Sequence, residues 1–174
     1  APGIARALEQ LNRNEVLIIA MTSPCMHSAS PPIRNVSSPE ACTALTAREI
    51  NTTITALGIQ SVDLLLLHGP SEPFNFTGKC SQHVNSLNQA QWKAYREALL
   101  SGRAKSIGVS NFCQSCLSGL DPLPSVNQIQ WHVGMGNDPE RLVSFCNDHN
   151  IIVQAYSPLA AGQVVHDPLC SSIG

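Results

Sequence analysis

Residues Ser61–Pro70 read SVDLLLLHGP. Four consecutive leucines between an aspartate and a histidine are too few for an ordinary helix. A strand with one wet face would alternate, so the unbroken run fits a strand buried on both faces, as parallel strands are. It follows a helix-like segment and delivers His68 at its C-terminal end. The rest of the chain is placed outward from this strand.

Upstream, Ile4, Leu8 and Leu11 fall on one helical face over Gly3–Leu11, and Val16–Ala20 (VLIIA) predicts a buried strand. Thr22–Pro39 is rich in Ser and Pro and lacks periodicity, which predicts a long loop. Ser38 is placed to cap a helix with Pro39 at its first position; Ile50, Ile54 and Leu57 stripe that helix and Gly58 ends it. Downstream, a polar loop containing Phe74 and Phe76 runs to about Leu87. A helix carrying Trp92, Tyr95 and Leu99 then closes at Gly102. Ser106–Val109 predicts a strand, Phe112–Leu120 a short helix, Val126–Gln130 a strand, Asp138-Pro139 a helix start with Leu142, Val143 and Cys146 inward, and Ile151–Ala155 a last strand.

Such alternation predicts a parallel sheet with helical crossovers, either doubly wound or closed as a barrel. No G-x-G-x-x-G or Walker sequence occurs, which disfavours a doubly wound nucleotide fold. Polar residues instead follow several strands: His68, Ser110-Asn111, the strand-borne Gln128, and Tyr156-Ser157. Contributions from many strand ends point to a (β/α)8 site.

Composition narrows the function classes. The 174 residues carry a net charge of -2, 43% hydrophobic residues and no apolar run near the ~18 residues of a membrane span. Neither nucleic acid nor an anionic membrane is an expected partner. Charged residues make up 13%, against about 25% in an ordinary soluble domain. A surface this neutral is expected to be covered in part by another protein chain. The seven cysteines are odd in number and scattered in a chain that needs no staples, so reduced, mostly buried thiols are expected. Cys113-Gln-Ser-Cys116 is a C-x-x-C near a helix start, compatible with redox exchange or half of a zinc site; no second such pair and no H-x-x-x-H arrangement accompanies it, so no metal site is assigned. Sequons occur at Asn35, Asn51 and Asn75, but no signal peptide stands before them, and an intracellular chain is expected rather than a secreted one. The opening at Ala1 rather than Met is compatible with processing or with a partial sequence.

The segments VDLLLLHGP, SGRAKSIGVSNF, PSVNQIQWH and FCNDHNIIVQAYSPLAAG resemble the aldo-keto reductases in order, spacing and wording, over nearly the whole chain. The resemblance implies a TIM-type barrel that binds NADP(H) across its C-terminal mouth and passes hydride to a carbonyl. Residues 1–174 would then be one incomplete α/β barrel domain, approximately strands 3 to 7 of 8, since a closed one usually needs ~250 residues. By the same likeness His68 orients the substrate carbonyl; Ser110, Asn111 and Gln128 bind the nicotinamide carboxamide; Tyr156 stacks on the ring; Ser157 and Leu159 line the path toward the pyrophosphate.

The chain also departs from the pattern. The family's general acid is a tyrosine whose pKa is lowered by a lysine paired with an aspartate. Met21 holds the lysine's place at the end of the third strand, and the first lysine in the chain is Lys79. The aspartate and tyrosine belong upstream of Ala1, and the basic cluster for the adenosine 2'-phosphate belongs beyond Gly174. Gly69 stands where a tryptophan commonly follows the histidine. The expectation drawn from these departures is a non-catalytic reductase-like domain, a structural or interaction subunit whose open sheet edges another chain covers. The alternative is part of an NADPH-dependent aldehyde or ketone reductase.

Overall fold

The computed structural model of the chain describes residues 2–27, 34–71 and 79–173. Its centre is a five-stranded parallel sheet formed by β1 (Ile19–Thr22), β4 (Leu64–Leu67), β5 (Ile107–Ser110), β6 (Val126–Gln130) and β7 (Ile152–Tyr156), in the order β1-β4-β5-β6-β7. Spatial order follows chain order throughout. Each crossover therefore steps in one direction, as around a barrel, and the sheet has no switch point of the doubly wound kind. Between β1 and β4, β2 (Met26–His27) and β3 (Arg34–Asn35) pair as a short antiparallel ribbon where the sequence predicts only loop.

The crossovers are carried by α2 (Pro39–Ala56), α3 (Gln82–Leu100), α4 (Gln114–Leu117) and α5 (Leu142–Asp148); α1 (Pro2–Leu8) precedes the sheet and α6 (Pro168–Ile173) follows it. The start of α2 is fixed as expected: the Ser38 hydroxyl accepts the Ala41 N–H at 3.3 Å and Pro39 occupies the first turn. Its buried stripe is Cys42, Thr46, Ile50 and Ile54, and Gly58 turns the chain at φ +67°. The helix α3 begins at Gln82, five residues before the predicted loop ends, because Ser81 caps it and its first buried face mixes Val84 and Leu87 with Asn88 and Gln91. An apolar stripe interrupted by amides is invisible to a hydrophobic pattern. Phe74 and Phe76 lie outside the described residues.

The four leucines divide between two faces. Leu65 and Leu67 join Val109, Ile129, Trp92 and Tyr95 in the main core under the helices, where each buried side chain contributes about 2 kcal/mol. Leu64 and Leu66 point the other way, onto Val126 with Met21 packed against them. Gly108 belongs to this second face: a Cβ there would stand 2.7 Å from Leu66 Cδ2 and 2.8 Å from the Val126 carbonyl.

Several expectations are corrected. The first strand runs Ile19–Thr22 rather than Val16–Ala20, and Leu17 is 73% exposed. Ile152 on β7 is 65% exposed, and α1 buries none of its residues although Ile4, Leu8 and Leu11 share a face. Leu17 lies just before one outer strand and Ile152 on the other, and an outer strand has a hydrogen-bonded neighbour on one side only among the described residues. The helix predicted over Phe112–Leu120 shrinks to one turn, Gln114–Leu117. Nor are the cysteines all reduced: Cys25 is joined to Cys42 and Cys80 to Cys116, with Cα separations of 5.5 and 5.2 Å. The helix packing brings these pairs together, which residue spacing does not reveal. No described helix is long and apolar enough to cross a membrane.

Candidate functional site

The parallel register lines up the polar residues seen in the sequence. Ser110 lies opposite Gln128, and Gln128 opposite Gln154. Side chains alternate along a strand, so these three share the face of Gly108 and Val126, one step nearer the C-terminal ends. His68 follows Leu67 at the same level, since Leu66 pairs with Gly108. The result is a polar row along the C-terminal edge of the face that the helices leave uncovered.

Asn111 knits the row together. It takes a left-handed conformation at φ 59°, a geometry that asparagine tolerates better than most residues. Its backbone N–H donates to the Gln128 carbonyl at 2.9 Å, and its side-chain amide donates to the His68 carbonyl and to Ser110 Oγ, each at 3.0 Å. The Tyr156 hydroxyl donates to Asn111 Oδ1 at 2.8 Å, and Ser110 Oγ donates to the Gln128 carbonyl at 2.9 Å. Gln128 Nε2 in turn donates to Gln154 Oε1 at 2.9 Å. Ser110 and Asn111 are buried; Gln128, Gln154 and Tyr156 are half-buried. Burial pushes the Tyr156 phenol above its ordinary pKa, so it remains a neutral donor at physiological pH.

His68 is anchored through its backbone, its N–H donating to the Thr22 carbonyl at 2.9 Å and its carbonyl accepting from Asn111. Its side chain is exposed. Met21, paired with Leu66 two residues before His68, is half-buried against Leu64, Leu66 and Val126. Ser157 and Leu159 lie just beyond β7 in an exposed turn, with Ser157 at φ 51° and its carbonyl accepting the Ala160 N–H. Of the residues singled out from the sequence, the structure therefore gathers Ser110, Asn111, Gln128 and Tyr156 with the His68 backbone. Ser157 and Leu159 follow on the rim.

Sequence reasoning missed Gln154, the partner of Gln128. Its signal was available, for the order Ile152, Gln154, Tyr156 places it on the same face as the tyrosine. It also missed the polar cluster that holds the loops beneath the site. Gln91 accepts the Cys25 N–H and the Ser71 hydroxyl on Oε1 and donates from Nε2 to Ser23 O and Thr46 Oγ1, all between 3.0 and 3.2 Å. Thr22 Oγ1 and the Tyr95 hydroxyl lie 2.8 Å apart, and both residues are buried. Together these fix the segments that leave β1 and β4. A row of amides and hydroxyls beside an aromatic ring can hydrogen-bond and stack with a planar amide-bearing ligand.

The comparisons with known proteins point the same way. Residues 5–167 match the model of the Aldo/keto reductase family. An NADPH-dependent alpha-keto amide reductase of Saccharomyces cerevisiae is 36% identical over 162 residues, covering 90% of this chain and 45% of the yeast protein. An aldo-keto reductase of Mycobacterium ulcerans is 30% identical over 177 residues, 99% of this chain and 53% of its own length. The chain thus spans about half the length of the curated relatives it matches. Among solved structures, an aldo/keto reductase from Brucella melitensis superposes with a TM-score of 0.74 at 27% identity over 99% of this chain and 58% of that one. A variant of Gox0644 solved in complex with NADPH gives 0.72 at 26% identity, over 99% and 54%. A family match over nearly the whole chain, set beside a sheet whose strands follow in barrel order with polar residues at their C-terminal ends, establishes that this chain belongs to the aldo/keto reductase family.

Proposed function

We propose that this chain forms the nicotinamide-facing wall of an aldo-keto reductase barrel, that it binds NADPH there, and that His68 faces the carbonyl of a substrate. The five strands correspond in this reading to strands 3 to 7 of the barrel. The observation that carries the proposal is the linked row of Ser110, Asn111, Gln128 and Tyr156 at successive strand ends. A carboxamide offers one acceptor and two N–H donors, and the hydroxyl and side-chain amides of this row can answer both. The ring of Tyr156 supplies a half-buried flat face; stacking uses that face and leaves its hydroxyl bond to Asn111 intact. Ser157 and Leu159 are where the pyrophosphate would pass. Bound NADPH supplies hydride. The task of His68 is to hold the substrate oxygen by hydrogen bonding from an imidazole whose main chain is held on both sides.

Met21 favours a second reading. A thioether packed on Leu64, Leu66 and Val126 carries no charge with which to lower the pKa of a nearby phenol, the role that the family gives to lysine. In this reading the chain binds NADPH without turnover and acts as a structural or interaction subunit. The exposed apolar side chains of Leu17, Ile19 and Ile152 at the outer strands, with the low charge of the chain, support a partner protein along those edges.

NADPH titration followed by cofactor fluorescence, alongside oxidation of NADPH with a panel of aldehydes, separates the readings. The wild-type chain is expected to bind NADPH, and Tyr156→Ala to weaken binding about tenfold through loss of stacking. Turnover that His68→Ala reduces supports a reductase. NADPH binding without turnover, in the wild type and in His68→Ala alike, supports the second reading. Absence of NADPH binding by the wild-type protein overturns both.

A further inference from the structure

Away from the strand-end row, the C-x-x-C pair meets a third sulfur. Cys113 caps the single-turn α4, Cys116 lies within it, and Cys80 immediately precedes Ser81, the cap of α3. The three Sγ atoms lie within 4.8 Å of one another. Cys80 and Cys116 are joined, and the free Cys113 sulfur stands 3.3 Å from that of Cys116. Cys113 and Cys116 are buried, whereas Cys80 is half-buried.

The polar surroundings distinguish the three. Asn88 Nδ2 donates to Cys80 Sγ at 3.6 Å, placing an N–H donor on the one sulfur that would leave as a thiolate. Ser115 bridges the site: its Oγ lies 3.3 Å from Cys113 Sγ and accepts the Cys80 N–H at 2.9 Å. A free thiol is thus in contact with one sulfur of a disulfide whose other sulfur belongs to a half-buried residue and is hydrogen-bonded. That contact is where thiol–disulfide exchange starts; because all three sulfurs lie within 4.8 Å of one another, Cys113 Sγ must first swing into line with the Cys80–Cys116 bond.

We propose that Cys80, Cys113 and Cys116 form an internal disulfide-exchange site, in which the bond moves between Cys80–Cys116 and Cys113–Cys116. Cys113 gives up its proton and its sulfur attacks Cys116 Sγ. The Cys113–Cys116 bond forms as the Cys80–Cys116 bond breaks; the electron pair leaves on Cys80 Sγ, which takes up a proton. One disulfide and one thiol stand on each side, so the step needs no external oxidant or reductant. Its outcome is positional: in one state α3 is tied to α4 through Cys80, and in the other Cys80 is a solvent-reaching thiol open to modification. A soft cation held by three thiolates is the competing use of the cluster, but with two sulfurs already joined only one thiolate is on offer.

Disulfide mapping of the native protein tests this. Trypsin places Cys80 on the peptide 80–93 and both Cys113 and Cys116 on 106–141, so the two states give different products. The protein is equilibrated in glutathione buffers from reducing to oxidising, quenched in acid, alkylated and mapped by fragmentation mass spectrometry. The expected result is both species: the cross-linked peptide pair, and the 106–141 peptide with an internal disulfide beside alkylated Cys80. Cys113→Ser is expected to abolish the internal disulfide and keep the cross-link; Cys80→Ser makes the internal disulfide the sole form. A wild-type chain that shows only Cys80–Cys116 in every buffer overturns the proposal. So does a Cys80–Cys113 bond in place of Cys113–Cys116, or a stoichiometric metal that protects all three thiols until a chelator is added.

Discussion

At the end of the sheet where the strands begin, a charged cluster ties the approaching segments together; at the end where they finish, the hydrogen-bonded row is built of neutral groups. Asp63, just before β4, accepts the Ile18 N–H at 2.8 Å and meets Arg13 at 2.7 Å and Lys105 at 2.8 Å. Arg13 also donates to the Val16 and Ser61 carbonyls, so one cluster ties the approaches to three strands. Ser106 and Ser125, with hydroxyl oxygens 2.6 Å apart, continue the seam, and the Ser125 carbonyl accepts the Ile152 N–H. The opposite end carries the amides, hydroxyls and ring of Asn111, Ser110, Gln128 and Tyr156. Charges at the strand starts hold the sheet in register. Neutral groups at the strand ends can exchange partners with a ligand at little electrostatic cost. If the proposed function holds, the comparison separates a stabilising end from a binding end, the division expected of a barrel.

Asp63→Asn presses hardest on this division. Burial works against the ionised form, but the Ile18 N–H, Lys105 and Arg13 outweigh it and hold the carboxyl well below the usual carboxylate range. A group whose pKa is lowered by folding contributes its stability above the unfolded value and loses it as pH falls toward the folded one. In urea titrations the substitution is expected to cost about 3 kcal/mol at neutral pH, with the wild-type advantage shrinking below about pH 4. NADPH affinity of the folded variant should not change; a fall in affinity would break the separation of the two ends.

Gly108→Ala probes the middle of the sheet. Its Cβ must displace Leu66 or the β6 backbone, and a loss of about 2 kcal/mol is expected from the same titration. Because Leu66 underlies the row at His68 and Ser110, weaker NADPH binding should accompany it. Thr22→Val comes next. Burial pushes the Tyr95 phenol far up, so it stays a neutral hydroxyl, and this near-isosteric change removes its partner. About 1 kcal/mol should be lost, and Thr22→Ser should restore most of it. Tyr156→Phe is expected to have the smallest effect: it deletes the bond to Asn111 and keeps the ring, for less than about 1 kcal/mol and an NADPH affinity within a few-fold of wild type. A large loss of affinity in this variant would show that the hydroxyl, rather than the ring face, carries the interaction.

Much of this was legible in the sequence because it rests on local periodicity. A run of four leucines, helices with caps and stripes, and polar residues directly after strands are properties of neighbours in the chain. They placed β4, β5, β6 and α2 nearly in full, and named Ser110, Asn111, Gln128 and Tyr156. Where periodicity was diluted the reading slipped: Asn88 and Gln91 hid the first turns of α3, and apolar Leu17 and Ile152 looked buried although both are exposed.

By itself, then, the sequence determined the alternation of strands and helices, the position of His68 at a strand end, and the family likeness itself. Only the tertiary structure decided who meets whom. Tyr156 reaches Asn111 across 45 residues, Asp63 reaches Ile18 across the same separation, and Cys80 reaches Cys116 across 36. The reason is physical: a residue's local preference depends on its near neighbours along the chain. A contact between distant residues depends on the register and packing of every element between them, and no window of sequence contains that.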